Sequence, residues 1–242
     1  MKYIVANWKC NPENGIEAKK IILRYKKGIK KSSKVVVAVC PPACYLETAK
    51  KILKSTAKLG GQDCHWEQEG AFTGAISPAQ LKSAGCDYVI IGHSERRHIF
   101  GETDETINKK VKAALVAGLA PIFCCGETRE QLIDGKITDI VEAQIKEGLK
   151  GVDLNTAPVM IAYEPVWAIG TGQACGPEEA KVVRRFIINI TNEKIPLLYG
   201  GSVNSKNAAS YIKDAGYSGL LVGGASLDPE EFAAITAALR EL

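Results

Sequence analysis

Short apolar runs alternate with stretches of helical period from one end of the chain to the other. Residues 3–8 are mostly apolar and weakly alternating, which predicts a first strand, and a strand of that register sets Asn7 and Lys9 on the same side. Ala18, Ile22, Tyr25 and Ile29 then recur at helical spacing. Residues 34–40 form a near-continuous apolar run, as expected of a parallel strand covered on both faces, and Pro41-Pro42 ends it. A short helix to about residue 54 and a poorer strand over 58–62 come next. The polar stretch 63–75, with Gly70 and Gly74, is long for a compact domain and reads as a functional or contact-making loop. Ser77-Pro78 opens a helix with proline at its first position.

The same alternation fills the second half. Strands are expected at 87–91, 119–125, 159–163, 195–199 and 219–222. Between and after them lie helical faces built on Ile107, Val111 and Ala114, on Val141 and Ile145, on Val183 and Ile187, on Tyr211 and Ile212, and on Phe232, Ile235 and Leu239. Eight strands and eight helical segments in strict alternation imply parallel connections throughout. The predicted fold is therefore α/β, a (β/α)₈ barrel of eight parallel strands with outer helices. An open doubly wound sheet is the rival, but it would carry a glycine-rich phosphate turn after its first strand, and Asn7-Trp8-Lys9-Cys10-Asn11 is not one. No linker or compositional break divides the chain, so residues 1–242 read as one catalytic domain.

Composition narrows the classes. The length, 242 residues, is close to the roughly 250 such a barrel needs. A net charge of +4 suits a small anionic substrate. It gives no case for nucleic acid, since no Lys/Arg run is interleaved with aromatics, and the basic cluster at 26–34 reads as the solvated end of a helix. No run is long and apolar enough to suggest a membrane span, and the first residues lack a secretory shape, so a cytoplasmic protein is expected. Eight cysteines show neither Cys-x-x-Cys spacing nor a zinc pattern with histidine, and read as free thiols, several buried in strands. No metal role is expected of them.

Conspicuous polar residues fall at strand ends: Lys9 after the first, His93 after the fourth, Glu164 after the sixth. In a barrel the C-terminal ends of the strands share one face, where catalytic groups collect. Glu164 is followed by Pro165, an apolar segment (Val166, Trp167, Ala168, Ile169), then Gly170 and Gly172, the composition of a lid over a general base. Gly200-Gly201-Ser202 and Gly223-Gly224 end the last two strands, and with Gly170 they could offer backbone N–H groups to one phosphate. Ser94, just after His93, is a candidate helix N-cap.

Six motifs carry a resemblance across the whole chain. Asn7-Trp8-Lys9, Ile91-Gly-His-Ser-Glu-Arg-Arg97, Cys124-Cys-Gly-Glu-Thr128, the lid segment from Ala162 to Gly172, Tyr199-Gly-Gly-Ser-Val203 and Leu221-Val-Gly-Gly-Ala-Ser-Leu227 closely resemble the triosephosphate isomerase family. The resemblance implies a TIM barrel and a cofactor-independent interconversion of dihydroxyacetone phosphate and glyceraldehyde 3-phosphate through an enediol(ate), serving glycolysis and gluconeogenesis. It implies Glu164 as base, His93 as electrophile, Lys9 as the neutralising cation, Asn7 beside it on the substrate, and Glu95 as a supporting carboxylate near Lys9. Gly170, Ser202, Gly223 and Gly224 would hold the phosphate. It also implies a homodimer through the 63–75 loop, with Thr73 reaching toward Lys9 and Asn11 of the partner subunit. Cys125 stands where the family pattern has valine, and the connection before strand seven is short. Two other readings compete on the residues alone: another phosphate-sugar enzyme on the same barrel, such as an epimerase or an aldolase (for a Schiff-base aldolase Lys9 is the one candidate), and a barrel that binds phosphorylated ligands without catalysis.

Overall fold

All eight apolar runs become parallel strands of one closed barrel in a computed structural model, which describes residues 1–169, 175–191 and 193–242. They are β1 (Lys2–Asn7), β2 (Val35–Cys40), β3 (Lys58–Gly61), β4 (Tyr88–Ile91), β5 (Ala120–Cys125), β6 (Met160–Tyr163), β7 (Leu197–Tyr199) and β8 (Gly219–Val222). Each pairs with its sequence neighbour, and β8 closes onto β1 in the register Tyr3↔Gly219 to Ala6↔Val222. At that seam Gly219 is required, because a Cβ there would lie 2.2 Å from the Tyr3 carbonyl oxygen. β6 and β7 start later than the apolar pattern suggests. Pro158 and Pro196 precede them, and a residue without an N–H cannot begin a ladder as donor.

Ten α-helices surround the barrel among the described residues: α1 (Gly15–Gly28), α2 (Leu46–Leu53), α3 (Pro78–Ser83), α4 (Ser94–His98), α5 (Asp104–Val116), α6 (Arg129–Ile133), α7 (Ile137–Gly148), α8 (Pro177–Ile190), α9 (Ala208–Lys213) and α10 (Pro229–Glu241). The excess over eight comes from α4 and α6, single short helices in the loops after β4 and β5 that carry too few residues for a readable period. None of the described helices is long and apolar enough to cross a membrane.

Strand alternation divides the apolar residues into two cores. Val5, Ala38, Cys40, Ile90, Ile122, Cys124, Met160, Ala162, Leu198 and Leu221 fill the barrel interior. Their strand neighbours, such as Ile4, Ala6, Val89 and Ile161, pack outward against the helices. Trp8, Tyr25 and Phe232 join β1, α1 and α10: Trp8 meets Tyr25 edge-on at 5.9 Å, and Tyr25 stacks on Phe232 at 4.8 Å. The Tyr25 hydroxyl donates to the Ser226 carbonyl, fixing the turn after β8 to the first helix.

The loop between β3 and α3 has a tied base and an open tip. Asp63 receives Lys110 Nζ at 2.8 Å on both oxygens and lies 3.0 Å from Arg96 Nε. His65 lies against Trp66 and Phe72, with ring centroids 4.1 and 4.2 Å away. Residues 67–75, Thr73 among them, are exposed. Among the eight free cysteines, Cys10 and Cys44 are exposed and the other six buried.

Candidate active site

Lys9, His93 and Glu164 open onto one cavity of about 350 Å³ at the C-terminal end of the barrel, which Asn7, Ser202, Gly223 and Gly224 also line. Each arrives from a different strand end. β1 stops at Asn7, and the chain turns so sharply that Lys9 has φ 52°. Simple strand alternation therefore does not bring Asn7 and Lys9 together. The Asn7 side-chain oxygen does, by accepting from the Lys9 N–H at 3.0 Å. Gln62 then donates to the Lys9 carbonyl at 2.9 Å and to the Cys40 carbonyl at 2.8 Å, linking this turn to the ends of β2 and β3.

His93 follows β4 and is itself the N-cap of α4, correcting the expectation that Ser94 would be. Its Nδ1 accepts from the Glu95 N–H at 3.2 Å. A ring nitrogen that accepts carries no proton, so the imidazole holds its hydrogen on Nε2, facing the cavity. The shift by one residue frees the Ser94 N–H, which donates to Glu164 Oε2 at 2.9 Å. Glu95 turns the other way and pairs with Lys9, its Oε1 2.8 Å from Nζ.

Glu164 is almost fully buried at the end of β6. Its N–H donates to the Cys125 carbonyl at 2.8 Å, continuing the β5–β6 ladder. Its Oε1 lies 3.2 Å from His93 Nε2 yet has no hydrogen bond of good geometry among the described residues. One carboxylate oxygen is thus held and the other merely close. Two glycines make room for this arrangement: a Cβ at Gly126 would fall 1.7 Å from the Glu164 carbonyl oxygen, and one at Gly200 would lie 2.9 Å from its Cγ.

After Pro165 the chain forms a 3-10 turn, Val166–Ala168. Glu127 anchors it. The carboxylate, fully buried, accepts from Trp167 Nε1 at 2.8 Å and from the Tyr163 hydroxyl at 3.0 Å, and its carbonyl accepts from the Val166 N–H at 3.0 Å. Burial pushes the Glu127 carboxyl above the usual carboxylate range, partly offset by those donors. The sequence marks Glu127 only as a polar residue closing β5; its partners lie 36 and 40 residues on.

The rest of the wall is backbone-rich. Gly223 caps a second 3-10 turn, Gly224–Leu227, and a Cβ on Gly223 would sit 3.4 Å from Lys9 Cε. A Cβ on Gly224 would meet nothing within 4 Å. Ser202 donates its hydroxyl to the Ala168 carbonyl at 2.6 Å, bridging the β7 end to the 3-10 turn after Pro165. Gly170 lies outside the described residues. Thr73 and Asn11 are exposed and do not line this cavity; Asn11 donates to the Trp8 carbonyl at 3.4 Å. Among the described residues no group of three or more His, Cys, Asp or Glu side chains could hold a metal ion.

The family model described as triosephosphate isomerase matches residues 2–239. Proteins named triosephosphate isomerase from Aquifex aeolicus, Dictyoglomus thermophilum and Geobacter metallireducens are 48%, 46% and 43% identical to this chain. The alignments cover 97%, 96% and 96% of this chain and 98%, 96% and 96% of those proteins. A match of this extent leaves no strand or strand-end loop of the barrel outside it, and the chain belongs to the triosephosphate isomerase family.

Proposed function

We propose that this protein interconverts dihydroxyacetone phosphate and D-glyceraldehyde 3-phosphate by proton transfer through an enediol(ate), as a glycolytic and gluconeogenic isomerase of the cytoplasm. The observation that carries the reading is the shared cavity: a carboxylate, an imidazole N–H and an ammonium face one space that Ser202, Gly223 and Gly224 also wall.

The chemistry follows from that arrangement. Glu164 takes a proton from the carbon beside the carbonyl, and the C–H electron pair becomes the new C=C bond. Negative charge moves onto the carbonyl oxygen, where His93 Nε2–H and Lys9 Nζ stabilise it. His93 gives its Nε2 proton to the charged oxygen and takes the one on the adjacent hydroxyl, and Glu164 returns its proton to the neighbouring carbon, which completes the isomerisation. A neutral histidine working with a glutamate base is the established division of labour in this family. Glu164 is parked on the Ser94 N–H, so the base must leave that donor to reach carbon. Glu95 holds the Lys9 ammonium at the cavity edge. Asn7 spends its oxygen on the Lys9 N–H and offers its amide hydrogens to the substrate. The N–H groups of Gly223 and Gly224, with Ser202 and Gly170, receive the phosphate. The segment from Pro165 closes over it and excludes water.

The same reading makes the protein a homodimer through the 63–75 loop. A second cavity of about 670 Å³, lined by Lys9, Cys10, Glu95, Arg96 and Phe100, adjoins the first. The exposed tip of the loop, with Thr73 and a half-exposed Phe72, has the size and character to enter that cavity on a second copy, bringing Thr73 toward Lys9 and Asn11 of the partner subunit. A fully active monomer in sedimentation would remove this part of the proposal.

A coupled assay with dihydroxyacetone phosphate tests the activity. Glu164→Gln should retain binding of the substrate phosphate and lose roughly 10²–10⁴-fold in rate, the span of a positioned base. Unchanged turnover would reject the role of Glu164.

A further inference from the structure

The modest net charge of +4 conceals a strong separation. Residues 1–60 hold 14 Lys and Arg against 3 Asp and Glu, whereas the remaining 182 hold 17 against 24. Much of the excess gathers at the pole of the barrel opposite the active site. There the N-terminal ends of β2 and β3 and the C-terminal end of α2 enclose a cavity of about 470 Å³. Lys30, Lys31, Lys50, Lys54 and Lys58 line it, all exposed. Lys58 is offset by Asp87 at 2.9 Å. Lys31 donates to Ser55 Oγ at 2.7 Å and Lys50 to the Gly85 carbonyl at 3.2 Å, neutral partners that leave their charge uncompensated. Among the described residues, no carboxylate lies within ion-pair distance of Lys30 or Lys54.

Backbone strain marks the same spot. Two non-glycine residues have positive φ among the described residues, Lys9 in the active site and Lys54 here. Lys54 ends α2 at φ 50°, ψ −112°, outside even the small left-handed region open to L-residues. Strain of this kind persists where the surroundings hold a residue in place, and it concentrates at binding and catalytic sites. Clustered like charges also repel, a cost that a bound polyanion relieves.

The geometry points to an anion-binding site at this pole for a soluble ligand bearing several linked phosphates. Lysines are compact point charges that neutralise phosphate oxygens without reading a base. The hydroxyls of Ser55 and Thr56 in the lining supply neutral polar groups beside them. The concavity admits a short phosphate chain, whereas a bilayer surface is flat. The lining has no aromatic ring on which a nucleobase could stack. This site is independent of the isomerase reading, since it shares no residue with the catalytic cavity.

The test is titration of the intact protein with sodium tripolyphosphate at low salt, read by calorimetry and thermal shift. It compares the wild type with Lys30→Gln/Lys31→Gln/Lys54→Gly and with the same three positions changed to arginine. The glutamine–glycine variant should keep kcat and KM for triose phosphate while its tripolyphosphate affinity falls about tenfold or more, with a shallower salt dependence. The arginine variant should bind as the wild type does. Equal affinity in wild type and glutamine–glycine variant would overturn the proposal, as would loss of binding in the arginine variant. Orthophosphate binding as tightly as tripolyphosphate would also overturn it. So would an RNA oligonucleotide that binds more tightly than tripolyphosphate with the same lysine dependence.

Discussion

The backbone N–H of Ser94 holds one oxygen of Glu164 at 2.9 Å, while the other oxygen stands 3.2 Å from His93 Nε2. The proposed base rests on one peptide hydrogen and beside the proposed electrophile, so its reach is set by side-chain length. Glu164→Asp shortens it by one methylene. A displacement of that order, roughly 1 Å, can cost about 10²-fold. The aspartate variant should therefore lose at least that much in kcat with little change in KM, measured in the coupled assay. A loss confined to KM would mean that the carboxylate binds substrate and does not move the proton.

Two glycines of the site separate a packing requirement from a binding one. At Gly126 a methyl would collide with the Glu164 carbonyl, and the β5–β6 ladder would have to open. Gly126→Ala should destabilise by about 3 kcal/mol or more, the upper end of ordinary overpacking. At Gly224 a methyl meets open space at the cavity wall. Gly224→Ala should leave stability within about 0.5 kcal/mol, as surface changes do, while raising KM because the methyl occupies the space proposed for phosphate. Urea unfolding together with steady-state kinetics distinguishes the two. Equal effects of both substitutions on stability would refute the distinction.

The strand pattern carried the fold because a barrel buried on both faces writes apolar runs, and each run ends where a polar residue appears. Lys9, His93 and Glu164 were legible as strand-end residues, and parallel topology puts all such ends on one face. What stayed hidden depends on contacts between distant residues or on the backbone. The anchoring of Trp167 by Glu127 spans 40 residues. His93 displaces Ser94 as N-cap because its ring nitrogen reaches the Glu95 N–H, and capping preference for serine gives no sign of that. Asn7 and Lys9 share a wall through a side-chain turn and not through strand alternation. The polar separation of charge was hidden by its own cancellation in the net value.

Lys110 is buried on α5, with Nζ at 2.8 Å from both Asp63 oxygens and 2.5 Å from Glu102 Oε1, which also receives Arg96. Burial raises the Asp63 carboxyl above its usual range, with the Lys110 charge opposing that rise. Lys110→Met would leave both carboxylates at the base of the 63–75 loop to the single Arg96 guanidinium. Breaking a buried pair from one side costs about 3–5 kcal/mol. Denaturant unfolding should show that loss, and Lys110→Arg should recover part of it. A methionine variant as stable as the wild type would mean that the network is neutral.

Glu127 links lid anchoring to pH. Its carboxyl is raised in the folded protein, chiefly by burial. Such a group favours the native state fully below its unfolded value, near 4.3 for a glutamate, and that contribution is lost as pH rises through the elevated folded value. Glu127→Gln removes this term. The stability gap between wild type and variant should therefore shift in favour of the variant as pH rises from about 4 through the elevated folded value. Trp167→Phe, which removes the 2.8 Å donor, should weaken the native state by about 1 kcal/mol, the net worth of a typical hydrogen bond. Urea titrations at several pH values test both. A variant gap that is flat with pH would refute the titration of Glu127.

Thiol chemistry can test the assembly. Burial pushes Cys64, Cys86 and Cys175 up to about 12 and raises Cys40, Cys124 and Cys125 further, so six of the eight thiols should resist a disulfide reagent at pH 8 until the protein unfolds. Cys10 and Cys44 are exposed in the single chain. Their surroundings differ, because Cys10 lines the 670 Å³ cavity proposed to receive the partner's loop and Cys44 does not. In a homodimer Cys44 should react at the rate of an open thiol while Cys10 lags well behind it. Dilution toward monomer should close the gap, and substitutions in the loop tip at Thr73 should do the same without altering Cys44. If Cys10 reacts as fast as Cys44 at every protein concentration, the 63–75 loop does not cover that cavity and the proposed interface is wrong.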